Sequence, residues 1–172
     1  MTEDEFDELM KELGIPKENI IRTIIRTNGG SKMIKFRGVP LDDYSHDANV
    51  DFDGTFIYGN YEKVGDDVLI SSGKFDLEGV SVPNSFAKVD PKTVGQFTGL
   101  KDINGVDIYG GDIIRSNYKY AQPKISQIIM EDGNSYILGE DMATGNEMLV
   151  SDHVNEIEVI GNVYDNAELL GE

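Results

Sequence analysis

Apolar residues recur at two different periods along this chain, and the change comes near residue 33. Over residues 2–13 the spacing is helical: Phe6, Leu9, Met10 and Leu13 stand at i, i+3, i+4 and i+7 and form one stripe. Thr2 and Glu5 have the spacing of a capping box. Glu3, Asp4 and Glu5 suit the positive end of the helix dipole, and Gly14 is a natural stop. Pro16 fits the first turn of a second helix. Its apolar face would be Ile20, Ile21, Ile24 and Ile25, with Arg22 and Arg26 four residues apart on another face. The isoleucines are β-branched and pull toward strand, so the second helix rests on pattern more than propensity. Asn28-Gly29-Gly30-Ser31 reads as a linker.

From residue 33 short apolar runs alternate with glycine, asparagine and aspartate. They predict strands over 33–37, 55–61, 68–71, 95–98, 112–116, 125–130, 135–139, 147–150 and 157–164. Glu131-Asp132-Gly133-Asn134 predicts a tight hairpin, because Asp-Gly accepts the positive φ such turns need; Asn104-Gly105 reads as a second turn of that kind. Gly111-Asp112-Ile113 reads as a turn entering a strand, as at the start of SH3-like barrels. The expected fold is mainly β, a barrel-type β core with an SH3-like C-terminal part, plus an N-terminal α-helical extension. The expected organisation is an extension and linker over 1–31 and a β domain over 32–172, with sub-parts 32–88 and 89–172.

Composition narrows the chemistry. The 172 residues contain no cysteine, which removes disulfides, thiolate nucleophiles and Cys-type zinc sites. No apolar run approaches the roughly 20 residues that span a bilayer, and the N-terminus is acidic where a signal peptide is basic. A soluble, intracellular protein is expected. The net charge is −17, which disfavours binding to nucleic acid through the overall field. The charge is uneven: residues 1–13 carry −5, and residues 14–37 carry +5 from Lys17, Arg22, Arg26, Lys32, Lys35 and Arg37 against Glu18. Within that stretch Arg22 and Arg26 are the candidate anion contacts.

Catalytic and metal signatures are weak. His46 lies among Asp42, Asp43, Asp47 and Asp51, and a solvated loop explains it better than a metal site. His153 follows Ser151-Asp152, but a triad is defined by spatial geometry, and no nucleophile elbow is present. Asn49-Val50-Asp51-Phe52-Asp53-Gly54 has the front half of a calcium loop, yet Asn60 stands where the bidentate glutamate belongs. A turn before a strand is the simpler reading. Asp66-Asp67 and Glu140-Asp141 read as exposed loop pairs. No phosphate or dinucleotide loop occurs. No catalytic residue, cofactor or metal is expected.

The densest pattern is residues 89–114: Val-Asp-Pro-Lys-Thr-Val-Gly-Gln-Phe-Thr-Gly-Leu-Lys-Asp-Ile-Asn-Gly-Val-Asp-Ile-Tyr-Gly-Gly-Asp-Ile-Ile. A second is Val159-Ile160-Gly161-Asn162-Val163-Tyr164-Asp165-Asn166 followed by Glu168-Leu169-Leu170, and a third is Ile34-Lys35-Phe36-Arg37-Gly38. Together they resemble the YopX family of phage and prophage proteins over about 32–172, with a poorly matched middle from 39 to 88. Position 110 is Gly where that family usually has an acid. The resemblance implies a phage or prophage origin and a mainly β fold, and it implies no reaction; with the composition above, the expected place of action is the cytoplasm of a bacterial host. The residues that carry it are Thr93, Gly95, Gln96, Thr98, Gly99, Leu100, Asp102, Gly105, Tyr109, Gly111, Asp112, Gly161 and Asn162. Their physical reading is structural: glycines for turns or close backbone approach, and Gln96 and Thr98 alternating with a buried Phe97.

Two function classes follow. One is a non-enzymatic accessory protein that binds another protein. The other is a nucleic-acid link, by acidic mimicry of DNA or by weak direct contact through 14–37. The apolar faces of the extension (Phe6, Leu9, Met10, Leu13, Ile20, Ile21, Ile24, Ile25) need a second layer, either the β domain or a neighbouring copy. The family core looks complete without them, which favours self-association.

Overall fold

A computed structural model describes residues 2–19, 35–73, 75–77, 80–117, 122–138 and 148–171. The chain is mostly β, with a curled half-barrel sheet and a short N-terminal helix. Contacts divide it into two units, Met1–Val94 and Gly95–Glu172. The division falls inside the 89–114 pattern rather than at residue 88, and the N-terminal helix belongs to the first unit. The second-helix expectation at Ile20, Ile21, Ile24 and Ile25, the Arg22 and Arg26 pair and the glycine linker lie outside the described residues.

The first unit opens with α1, Glu3–Leu13. The capping box forms: the Thr2 hydroxyl accepts from the Glu5 N–H at 3.3 Å, and the Glu5 carboxylate accepts from the Thr2 N–H at 2.6 Å. Gly14 ends the helix in the left-handed region, and its N–H returns to the Lys11 carbonyl. Seven short strands follow among the described residues of this unit: β1 Phe36–Gly38 and β2 Asp51–Phe52, β3 Ile57–Val64 and β4 Asp67–Ser72, and then β5 Phe75–Leu77, β6 Val80–Val82 and β7 Ser85–Val89. The next strand, β8 Gly95–Lys101, opens the second unit. The antiparallel order in the first unit is β7-β4-β3-β1, with β2 also on β3 and β5 paired to β6.

β4 is central, and both of its faces are covered, so it reads Val-Leu-Ile without polar alternation. Val68 and Ile70 face a cluster with Ile57, Ala87 and Val89. Leu69 faces the other way, into a cluster with Phe86, Val82, Phe6, Met10 and Ile15. Phe6 and Met10 are thus spent on the sheet of their own unit, with Leu9 and Leu13 packed at the margin. Of the two partners open to that stripe, the structure shows the sheet of the same chain. Each fully buried anchor contributes about 1.5–3 kcal/mol. At Gly59 a Cβ would stand 2.0 Å from the Ser71 carbonyl oxygen, so the strand crossing there admits no side chain.

In the second unit β8 pairs with β9, Asp107–Tyr109. A five-stranded antiparallel sheet runs β13-β12-β11-β10-β14. Its members are β10 Asp112–Ser116, β11 Lys124–Glu131, β12 Asn134–Leu138, β13 Met148–Leu149 and β14 Ile157–Asn162. The inner face brings together Ile114, Ile128, Ile137 and Ile157 with Ile108 and Val150. The β11–β12 turn has positive φ at both Asp132 (48°) and Gly133 (81°), the geometry expected of Asp-Gly. Asn104-Gly105 differs from expectation: only Gly105 has positive φ, and the turn closes by the Gly105 N–H donating to the Asp102 carbonyl at 3.0 Å.

Glu62 stands opposite Leu69 on the face that α1 covers. Burial raises its carboxyl above the ordinary value of 4.5. A raised folded-state value means its stabilising contribution is full below about pH 4.5 and is lost as pH rises through the folded value. Glu62→Gln is therefore expected to raise the melting temperature at pH 7 and to change it little at pH 4, read as the difference from the unmodified protein in thermal melts. Equal shifts at both pH values would contradict the burial assignment.

Candidate functional site

The residues that suggested chemistry are engaged by their own backbone. Asp43 accepts from the Ser45 N–H at 2.9 Å, and Asp47 accepts from the Asn49 N–H at 2.9 Å, so these two of the acids around His46 close turns. The Ser45 bonds hold the Asp43 carboxyl below its usual range. Asp53, in the calcium-like stretch, is saturated in the same way. One oxygen accepts from the Thr55 and Phe56 N–H groups at 2.9 and 2.7 Å, and the other accepts from the Tyr58 hydroxyl at 2.5 Å. Desolvation pushes its pKa up, but the bonds from Tyr58, Phe56 and Thr55 and the charge of Arg37 outweigh it and leave the value lowered. Among the described residues no group of three or more His, Asp or Glu side chains is arranged to hold a metal.

His153 pairs with Glu156 at 3.0 Å, while the Ser151 hydroxyl donates to Asp152 at 3.3 Å. Serine and histidine point to different partners, so no nucleophile–base pair forms between them. Asp67 opens β4 and pairs with Lys88 at 2.6 Å, so it is not a loop residue. The basic stretch is also engaged where it is described. Lys17 bridges Asp7 at 2.9 Å and Glu3 at 3.0 Å, which raises its pKa. Lys35 lies 3.8 Å from Asp51, and Arg37 is buried with its guanidinium 4.3 Å from the Phe56 ring centroid. Arg37 therefore belongs to the packing of β1 on β3.

The 89–114 pattern proves to be a set of backbone clamps. The Thr93 hydroxyl accepts from the Val39 N–H at 2.8 Å and donates to the Asp90 carbonyl at 2.7 Å. The Thr98 hydroxyl donates to the Ile108 carbonyl at 2.8 Å and accepts from the Leu100 N–H at 3.2 Å. Gly95 is buried, and Gln96 takes the Gly110 N–H on its carbonyl at 2.9 Å. Phe97 is half-buried, not buried as its alternation suggested, and lies 5.4 Å from the Tyr109 ring. Gly99 has φ 82°, and Leu100 packs against the core of its unit.

Asp102 is the most heavily used of these groups. It is 6% exposed. One carboxylate oxygen accepts from the Asn104 and Val106 N–H groups at 2.8 and 2.9 Å, and the other accepts from the Val159 N–H at 2.9 Å. A single side chain thus fixes the turn after β8 and ties it to β14. The Ile103 N–H adds a bond to the Ile157 carbonyl at 3.1 Å. At the other end of the pattern the buried Asp112 accepts from the Tyr109 N–H at 2.7 Å. Gly111 donates to the Ile128 carbonyl and accepts from the Val163 N–H.

The closing segment is clamped likewise. The Asn162 side chain accepts from the Tyr164 and Asp165 N–H groups at 2.9 and 3.0 Å. A Cβ on Gly161 would stand 2.5 Å from the Asn166 side-chain oxygen. Position 110, where the family pattern favours an acid, has a packing reason to be glycine here: a Cβ would stand 2.9 Å from Cγ of Met130.

The outer face of the five-stranded sheet is covered at Ile113, which stands opposite Gln127 and is fully buried, but is exposed farther along at Ile125 and Leu138. Along β11 the outward positions are Ile125, Gln127 and Ile129, and along β12 they are Tyr136 and Leu138. Gln127 pairs with Leu138 and Ile129 with Tyr136, which sets Ile125 diagonal to Leu138. Ile125 is 44% exposed and Leu138 37%. Arg115, opposite Ile125 on β10, is held by Glu158 of β14 at 2.5 Å. The chain pattern missed this face because outward isoleucines look the same as inward ones until the register is known.

A mostly β chain whose densest motif is spent on backbone clamping is the class this geometry defines. Its sequence matches the family model described as YopX protein over residues 43–171, and the chain belongs to that family. A crystal structure titled protein EF1440 from Enterococcus faecalis aligns with 80% of this chain and 98% of its own at 22% identity, with a TM-score of 0.46. No curated protein matches the chain. Among the described residues no helix is long and apolar enough to cross a membrane.

Two substitutions check the clamp reading by urea denaturation. Asp102→Ala removes the shared acceptor of the Asn104, Val106 and Val159 N–H groups, which are only partly buried, and is expected to cost about 1–3 kcal/mol. Gly110→Asp is expected to cost about 1–3 kcal/mol by overpacking against Met130. Unchanged midpoints in both variants would contradict the structural role.

Proposed function

We propose that this protein is a non-enzymatic phage or prophage accessory protein that acts in the host cytoplasm by binding another protein. The observation that carries this reading is the outer face of the five-stranded sheet. It keeps Ile125 and Leu138 exposed on neighbouring strands, beside Ile129 and Tyr136. Clustered apolar exposure of this kind marks interaction surfaces, whereas scattered apolar residues do not. The fate of the polar side chains supports the same reading. Asp43 and Asp47 beside His46 close turns, and among the described residues His153 and Ser151 pair with Glu156 and Asp152 rather than with each other.

Acidic mimicry of DNA is the second reading. It draws on the net charge of −17 and on Asp4, Glu8 and Glu12, which stand four residues apart on the exposed side of α1. That spacing places successive carboxylates about 6 Å apart along the helix axis.

A tagged-protein capture from a bacterial host, run beside the Ile125→Glu/Leu138→Glu double variant, tests the proposal. The expected result is a partner recovered with the unmodified chain and reduced at least roughly tenfold with the variant, the scale of a lost apolar anchor. A partner that binds both equally and is displaced by duplex DNA would replace this reading with mimicry.

A further inference from the structure

α1 carries its own supports. Thr2 and Glu5 close its first turn, and the Gly14 and Ile15 N–H groups return to the Lys11 and Met10 carbonyls at its end. Lys17, one turn beyond, bridges back to Glu3 and Asp7. Its seat on the sheet is made by apolar anchors: Phe6 and Met10, four residues apart, and Ile15 against Leu69, Val82 and Phe86. The family match begins at residue 43, so α1 stands outside the segment by which the family is recognised. A self-capped amphipathic helix seated through i and i+4 anchors is also how apolar grooves take helices from partners.

We propose that the face of Leu69, Val82 and Phe86 is a helix-docking groove, filled in cis by α1, that accepts the same helix from a second copy of the chain. The second copy is the occupant because the fit of Phe6, Met10 and Ile15 to this groove is the complementarity the structure displays. In cis the helix is covalently joined to the unit that holds its groove, so exchange between copies stays suppressed until the resident helix is disabled. This device is independent of the outer-face reading of the second unit.

The test uses the full chain carrying Phe6→Asp, with Phe6→Ala run beside it, and a fluorescein-labelled peptide of residues 1–19 followed by anisotropy. Circular dichroism first establishes that each variant is folded. The peptide is expected to saturate the folded variants and to bind the unmodified chain at least roughly tenfold more weakly, because the resident helix occupies the groove. A peptide itself carrying Phe6→Asp is expected not to bind. Equal binding to variant and unmodified chains, or no binding to a folded variant, would overturn the proposal. Unfolding of both variants would overturn it as well, since α1 would then be an obligate part of the core.

Discussion

The carboxylate of Asp102 is the constraint on which the second unit turns. Three backbone N–H groups from two separate segments end on its two oxygens. Val159 lies on β14, the last strand at one edge of the five-stranded sheet. A strand edge presents unpaired donors and acceptors that must be covered or left as a template for other chains. Asp102 supplies an acceptor to that edge from a side chain, and Ile103 supplies a backbone donor beside it. One side-chain acceptor and one turn thus stand in for a neighbouring strand at Ile157 and Val159. It also explains why an aspartate is buried here, since a carboxyl group that accepts several backbone bonds is compensated where an unpaired one is not.

The same economy runs through the rest of the motif. Thr93, Thr98, Asp112 and Asn162 each hold backbone groups that short strands leave over. Strands of two to eight residues need many turns, and each turn exposes donors and acceptors that the ladders do not satisfy. A motif that looks dense enough for an active site is the bookkeeping of those groups. The exposed apolar residues Ile125 and Leu138 lie elsewhere, at positions that no motif marks.

Much of this was legible in the sequence. The capping box, the Gly14 stop and the Asp132-Gly133 hairpin depend on neighbouring residues only, and local chemistry settles them. Strand β10 appears with the bounds its pattern indicates. β7 and β9 were not legible. Ser85–Val89 carries Ala and Lys between two prolines, and Asp107–Tyr109 is three residues between glycine turns. Both are strands because of what they pair with, β4 and β8, and a pairing across the sequence has no local signature. Asn104 misled for a related reason: the Asp102 side chain, two residues upstream, chose the turn geometry. The destination of the α1 stripe was likewise undetermined, because an apolar face specifies burial and not its partner.

The most direct measurement of the Asp102 account is amide hydrogen exchange of the unmodified protein, resolved residue by residue by NMR. The account predicts that the Asn104, Val106 and Val159 amides exchange as slowly as the core amides of Ile114 and Ile128, through opening of the whole unit. Exchange of Asn104 and Val106 at the rate of an open loop, with only the core protected, would contradict it.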